Sequence, residues 1–126
     1  MDCIFCNCLD SNDEIIAENR YAFAVMDKFP VNEGHALILP KRHFASLFEA
    51  SEEEIKAIYS LMHEVKEMLD IQYEPAGYNA GVNVGYHAGQ TIMHLHVHLI
   101  PRYEGDVENP RGGVRNIKNS LVPYDG

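Results

Sequence analysis

A chain of 126 residues supplies one domain with a single core. Its 19 acidic residues outnumber the 10 basic ones, and the formal charge of −9 argues against nucleic-acid binding, which relies on clustered Lys and Arg. Nothing approaches the ~18 consecutive apolar residues of a membrane span, and Met1-Asp2-Cys3-Ile4-Phe5-Cys6 lacks the basic start and long apolar run of a signal peptide. A cytoplasmic protein without membrane contact is the expectation.

Cys3, Cys6 and Cys8 crowd the first eight residues, and an odd count so closely spaced is no disulfide framework. Cys3-x-x-Cys6 is half of a possible zinc site. Its spacing alone leaves incidental thiols as the alternative. Residues 14–18 and 21–27 then read as two short strands around Asn19-Arg20. A turn-rich link, 27–34, ends on Gly34. The third strand, 34–40, is almost wholly apolar and therefore central, with His35 as its one polar member. A lone His at a strand start is ordinarily a surface or capped residue, and Asp27 is ordinarily a turn acid.

Ser51-Glu52-Glu53-Glu54 is a capping box: Ser51 caps a helix, Glu54 reaches back, and the acids suit the positive helix start. Ile55, Ile58, Tyr59, Met62, Val65 and Leu69 recur at helical spacing to about Ile71, predicting an amphipathic helix packed on the sheet. His63 falls off that stripe and faces solvent; Leu61 and Met68 lie beyond it and are available to a partner. Glu74-Pro75-Ala76-Gly77 ends the helix. Residues 78–85 read as a strand with small residues on one side, and 86–89 as a loop.

From His94 to Leu99 the chain alternates strictly between imidazole and aliphatic side chains. On a strand this puts His94, His96 and His98 on one face and Leu95, Val97 and Leu99 on the other. A metal reading is limited by geometry, because His94 and His98 are roughly 13 Å apart along a strand, too far for one ion to hold all three. Chemistry on an anionic group fits better: one neutral imidazole attacks while its neighbours donate to the developing charge. Gly89-Gln90-Thr91, just upstream, offers backbone N–H groups and two polar side chains of the kind that cradle phosphate oxygens. After Arg102 the patterns fade, with Arg111, Arg115 and Lys118 spaced through a tail of little secondary structure.

His94-Leu-His96-Val-His98-Leu-Ile has the form H-φ-H-φ-H-φ-φ. Together with Gly34-His35-Ala-Leu-Ile-Leu-Pro40 and the Gly89-Gln90-Thr91 lead-in, it resembles the histidine triad nucleotide hydrolases and transferases over roughly residues 3 to 107. The resemblance implies an α+β domain, a five-stranded antiparallel sheet with a long helix packed on it, usually paired as a homodimer. It implies a triad domain at 1–107 and a tail at 108–126 packed on or near the site. His96 is then the nucleophile toward the α-phosphorus of a purine nucleotide, forming a nucleotidyl-histidine that water resolves. His98 donates to a non-bridging oxygen, and His94 and His35 orient their neighbours. Asp27 holds the ribose hydroxyls, Gln90 and Thr91 hold the leaving phosphate, and Phe5, Asn83 and Gly89 complete the nucleotide site.

In related bacterial-type proteins the N-terminal C-x-x-C is completed by two histidines. Here those positions are His43 and His94, so the resemblance implies structural zinc on Cys3, Cys6, His43 and His94 and no catalytic cofactor. The absence of Trp and the run Pro101-Arg102-Tyr103-Glu104-Gly105-Asp106 look like the dinucleoside polyphosphate hydrolase branch. Asn83, where that branch carries Gln, resembles the purine nucleoside phosphoramidases, which remain the alternative. From other classes, a non-catalytic nucleotide-binding protein and a catalytic metal on His94 and His96 are the competing readings.

Overall fold

The computed structural model describes residues 3–118. The sheet grows outward from its two most apolar strands, β2 (Ala22–Met26) and β3 (Ala36–Pro40), which pair antiparallel from Ala22↔Pro40 to Met26↔Ala36. Almost every residue of both is buried, as expected of central strands covered on two sides. β1 (Ile15–Glu18) flanks β2, while β5 (Val97–Arg102) flanks β3 and carries β4 (Gly77–Gly81) outside it. The order is β1-β2-β3-β5-β4, antiparallel throughout.

Period-2 alternation divides the core between the two sheet faces. On one face Ala22, Ala24, Ile38, Val97 and Leu99 pack with α2 (Glu52–Tyr73). On the other, Phe23, Val25, Leu37 and Leu39 pack with Cys3 and Phe5 of the N-terminal segment. The predicted capping box is present at Ser51 and Glu54, with Ser51 Oγ accepting from the Glu54 N–H and Glu54 answering to the Ser51 N–H.

Four expectations need correction. The buried stripe of α2 is Ile58, Leu61, Val65 and Leu69, so Leu61 belongs to the core and not to a partner-facing surface. Ile55 and Tyr59, assigned to the stripe, are exposed, whereas Met68 is exposed as expected. A helix absent from the sequence reading, α1 (Ile4–Ser11), covers the histidine face; Cys3 Sγ caps it by accepting from the Cys6 N–H. β4 ends at Gly81, and β5 begins only at Val97. His94 and His96 thus precede the ladder, yet the alternation holds: Leu95 is buried in the α2-side core, tethered where its N–H donates to the Phe44 carbonyl at 2.7 Å.

Residues 108–118 of the tail hold one short 3-10 segment, Gly113–Ile117, which lies against β4 at Asn79. Residues 119–126 of the expected tail lie outside the described residues. Among the described residues, no helix is long and apolar enough to cross a membrane.

Candidate functional site

β3 and β5 bring segments 34–40 and 94–99 together across one hydrogen-bonded seam, with Leu37 opposite His98. His35 reaches this seam because the chain turns sharply at Gly34, whose φ is +86°. A Cβ there would also come within 2.9 Å of the Tyr73 ring, so both conformation and space call for glycine.

The imidazoles are tied into a fixed order of donors and acceptors. The Val31 backbone N–H donates to His35 Nδ1 at 3.0 Å. His35 must therefore carry its proton on Nε2, which faces His98 Nδ1 at 2.9 Å and Asp27 Oδ2 at 3.4 Å. His98 Nδ1 accepts, so the His98 proton sits on Nε2. The neighbouring His96 donates Nδ1–H to the His94 carbonyl at 2.8 Å, leaving a lone pair on Nε2. One backbone amide and one backbone carbonyl thus set an unprotonated nitrogen beside a protonated one. Burial lowers the His35 pKa against the pull of Asp27. Burial, then His96 and His35, lowers that of His98. Both rings are held neutral, as this order requires.

The rings border a cleft of about 360 Å³. His96, His98, Asp27, Asn83, Gly89, Thr91 and Phe5 all line it, alongside the apolar Ile4, Phe29 and Ile92. Phe5 packs on His96 with ring centroids 5.0 Å apart, so it buttresses that ring as well as walling the cleft. Asp27 already takes the Phe29 N–H on Oδ1 at 2.8 Å. Its second oxygen turns toward His35 and His98.

Gln90 departs from its expected place. It is buried, donating from Nε2 to the Ala45 and Ile92 carbonyls and accepting the Gly85 N–H on Oε1. The backbone N–H groups of Gly89 and Gln90 also close on Tyr86 and Gly85 within their own loop. Gln90 therefore braces the loop and does not line the cleft. Asn83 and Thr91 are the polar side chains left on that wall.

The second cluster lies immediately behind. Cys3, Cys6, His43 and His94 bring their ligand atoms within 4.8 Å of one another. For bonds of ~2.3 Å to sulfur and ~2.0–2.1 Å to nitrogen at a tetrahedral angle, sulfur and nitrogen stand roughly 3.6 Å apart and two nitrogens roughly 3.3 Å. The S···N separations here are 3.4, 3.5 and 3.6 Å, and the two Nδ1 atoms are 3.1 Å apart. His94 donates Nε2–H to the Pro40 carbonyl at 2.9 Å, which turns the Nδ1 lone pair inward as a metal-binding histidine needs. Burial, then the contact with Cys3, pushes the Cys6 thiol up to about 11, a value that a bound cation would reverse. The four residues fit zinc. The quartet meets the triad through His94, which belongs to both.

Sequence reasoning missed the Val31 N–H, a backbone donor that no side-chain pattern advertises. It also missed Lys28 and Glu14, paired at 3.3 Å on the cleft wall, and Cys8 beside them.

Comparison with known proteins gives relatives in sequence and in fold. A relative from Mycoplasma pneumoniae, an uncharacterized 16.1 kDa HIT-like protein, is 40% identical over 105 residues, covering 82% of this chain and 73% of that one. An AP-4-A phosphorylase from Mycobacterium tuberculosis is 30% identical over 98 residues, covering 77% of this chain and 50% of its own. Among solved structures, a HIT family protein from Bacillus anthracis matches with a TM-score of 0.77 at 34% identity, covering 83% of this chain and 76% of that one. A zinc-bound histidine triad family protein from Mycobacterium smegmatis matches with a TM-score of 0.76 at 28% identity, covering 84% and 78%. The HIT domain model matches residues 9–105, which span β1 to the end of the triad strand; the chain belongs to the HIT domain family.

Proposed function

We propose that this chain hydrolyses dinucleoside polyphosphates through a covalent nucleotidyl-His96 intermediate. The observation that carries the reading is the His96 ring. With Nδ1–H held by the His94 carbonyl, Nε2 is free to attack the α-phosphorus, and its electron pair forms the P–N bond. The His98 Nε2–H, kept in place by His35 and the Val31 N–H, donates to a non-bridging oxygen as charge develops there. The bond to the leaving phosphate breaks in the same step, and the departing oxygen takes its electron pair. Water then attacks the phosphorus and gives up a proton to solvent, and the P–N electron pair returns to His96 Nε2. Asp27 keeps acceptor capacity for ribose hydroxyls, and the apolar wall of Ile4, Phe29 and Ile92 suits a purine.

Zinc on Cys3, Cys6, His43 and His94 would tie α1 to the chain after β3 and to the start of the triad, a structural role. Thiolates kept for metal suit a reducing compartment such as the cytoplasm. A homodimer is proposed through the exposed Tyr59, Met68 and Ile71 of α2, and light scattering at micromolar concentration tests it; a mass of one chain would reject it.

The AP-4-A phosphorylase among the relatives supports a dinucleoside substrate, and it raises phosphate as a rival to water in the second step. Asn83 on the cleft wall favours the second reading, a purine nucleoside phosphoramidase. The full-length protein should cleave diadenosine tetraphosphate with a higher kcat/KM than adenosine phosphoramidate, and truncation after Tyr103 should weaken the first activity more. Equal losses, or a preference for the phosphoramidate, would transfer the assignment to the second reading.

A further inference from the structure

The open face of β5 does not end at the histidines. At the same alternation His98 is followed by Ile100 and Arg102, and beyond His98 a second cleft of about 350 Å³ opens on that face. Val31 borders both clefts, so the two adjoin. Neither the triad nor the metal quartet lines the second one.

Its electrostatics rule out one obvious occupant. Arg102, the cation in its wall, is forked onto Asp106 through two bonds of 2.8 Å and gives a third N–H to Asn79 Oδ1 at 2.7 Å. Asp106 in turn takes the Tyr103 N–H and Asn32 Nδ2, and its carboxyl is held well below the usual carboxylate range, by the Arg102 bond above all. The ion pair is neutral, and three of the five guanidinium N–H groups are engaged. A phosphate group would meet the Asp106 carboxylate together with the guanidinium, so the cleft offers it no net positive charge.

What the cleft does offer is amide chemistry over an apolar floor. Ile100 and Val107 supply apolar surface, and Asn32, Asn79, Asn109 and Asn116 surround it. The bonds these side chains already make use Asn32 Nδ2, Asn79 Oδ1, Asn109 Oδ1 and Asn116 Nδ2. Among the described residues no protein group engages the other end of each amide. Two donors and two acceptors remain, beside apolar carbon and without net charge. That combination matches the edge of a nucleobase and the hydroxyls of a ribose.

We propose that this cleft is a subsite for the distal nucleoside of a dinucleoside polyphosphate, with the phosphate bridge crossing His98. The span is suitable, since four strand residues from His98 to Arg102 cover roughly 13 Å. The proposal rests on the reading of His96 as attacking the α-phosphorus of the nucleoside in the first cleft.

Adenosine tetraphosphate and diadenosine tetraphosphate carry the same four phosphates and differ by one nucleoside, which makes them the probes. Calorimetry on full-length His96→Asn protein, which lacks the attacking nitrogen, should find the dinucleoside bound about ten-fold more tightly, the worth of one or two net hydrogen bonds. Adding Asn116→Trp, whose indole would fill the cleft from its exposed rim, should erase that advantage. Val107→Trp, from another wall, repeats the test should the first replacement disturb the fold. With His96 intact, Asn116→Trp should lower the ratio of kcat/KM for diadenosine tetraphosphate to that for adenosine phosphoramidate by a similar factor. Equal affinities for the two probes, or an advantage that survives both tryptophans, would overturn the subsite. A binding advantage in a protein that turns over neither substrate would uphold the subsite and sink the catalytic reading instead.

Discussion

Two clusters of histidines share one sheet face and do opposite things with their nitrogens. Around His94, acceptor atoms converge: two sulfurs and two Nδ1 atoms point at a common centre. A proton can bridge one such contact, whereas a cation satisfies all four. Around His98, donors and acceptors alternate along a line, from the Val31 N–H through His35 to His98, and the last proton is left facing the cleft. The same three-atom pattern of Asp27, His35 and His98 could be taken for a second metal site. The Val31 amide argues against it, because it occupies His35 Nδ1 and leaves Nε2 protonated. Spacing of ligand atoms is therefore not enough to identify a metal site; the direction of the hydrogen bonds behind them decides.

Breaking one cluster at a time tests this division, and the largest effect belongs to the nucleophile. His96→Ala should cost on the order of 10⁴-fold or more in turnover, since it removes the bond-forming atom. Rapid quench and mass spectrometry of the unsubstituted protein should find nucleotide mass, acid-labile, on the peptide spanning His94 to His98. Near-normal turnover in His96→Ala would end the mechanism. Zinc content and melting temperature should be little changed in that variant.

Cys3→Ser should show the reverse. Metal analysis should fall from close to one zinc per chain toward zero. Stability should drop on the order of 2–4 kcal/mol, a fraction of the ~10–16 kcal/mol apparent binding energy of small structural zinc sites. Metal-free protein that is fully stable without the replacement would return Cys3 and Cys6 to incidental thiols.

The smallest effect sharpens the comparison through pH. His35 and His98 are both lowered from the ~6.5 of an unfolded histidine. Between those values the unfolded chain binds more protons, so their contribution is complete above about pH 6.5 and is lost as pH falls through the lowered values. Urea titrations of Cys3→Ser, where acid release of metal plays no part, should show a modest fall in midpoint between pH 7.5 and 5.5. His35→Gln in the same background should reduce that fall; an unchanged pH dependence would count against His35 as its source.

Much of this site is legible in the residues alone, and the failures have physical causes. Strict alternation from His94 to Leu99 assigns the two faces correctly even where no ladder forms: Leu95 reaches the α2-side core, while His94 and His96 meet Phe5. The capping box at Ser51 fixes the start of α2. Its stripe is harder, since Ile55, Tyr59 and Leu61 are all apolar and only packing selects Leu61. α1 is invisible because its eight residues are too few turns for a pattern to repeat and its cap is Cys3 rather than Ser, Thr, Asp or Asn; the sheet face beneath holds it in place. Gln90 misleads for a different reason: composition shows a polar side chain beside the triad, but the loop's own orphan amides and carbonyls claim it first. The quartet of Cys3, Cys6, His43 and His94 comes from resemblance, as nothing local joins them.

Cys3 and His94 meet across 91 positions of sequence. On a ribosome, α1 can meet Phe23 and Leu37 of β2 and β3 early, but Cys3 finds His94 only after a further 91 positions have been made. Contacts this distant close slowly. The metal centre and the His96 nucleophile, joined by the His94 carbonyl, are therefore completed together and late, so an unfinished or C-terminally clipped chain that stops short of His94 carries neither.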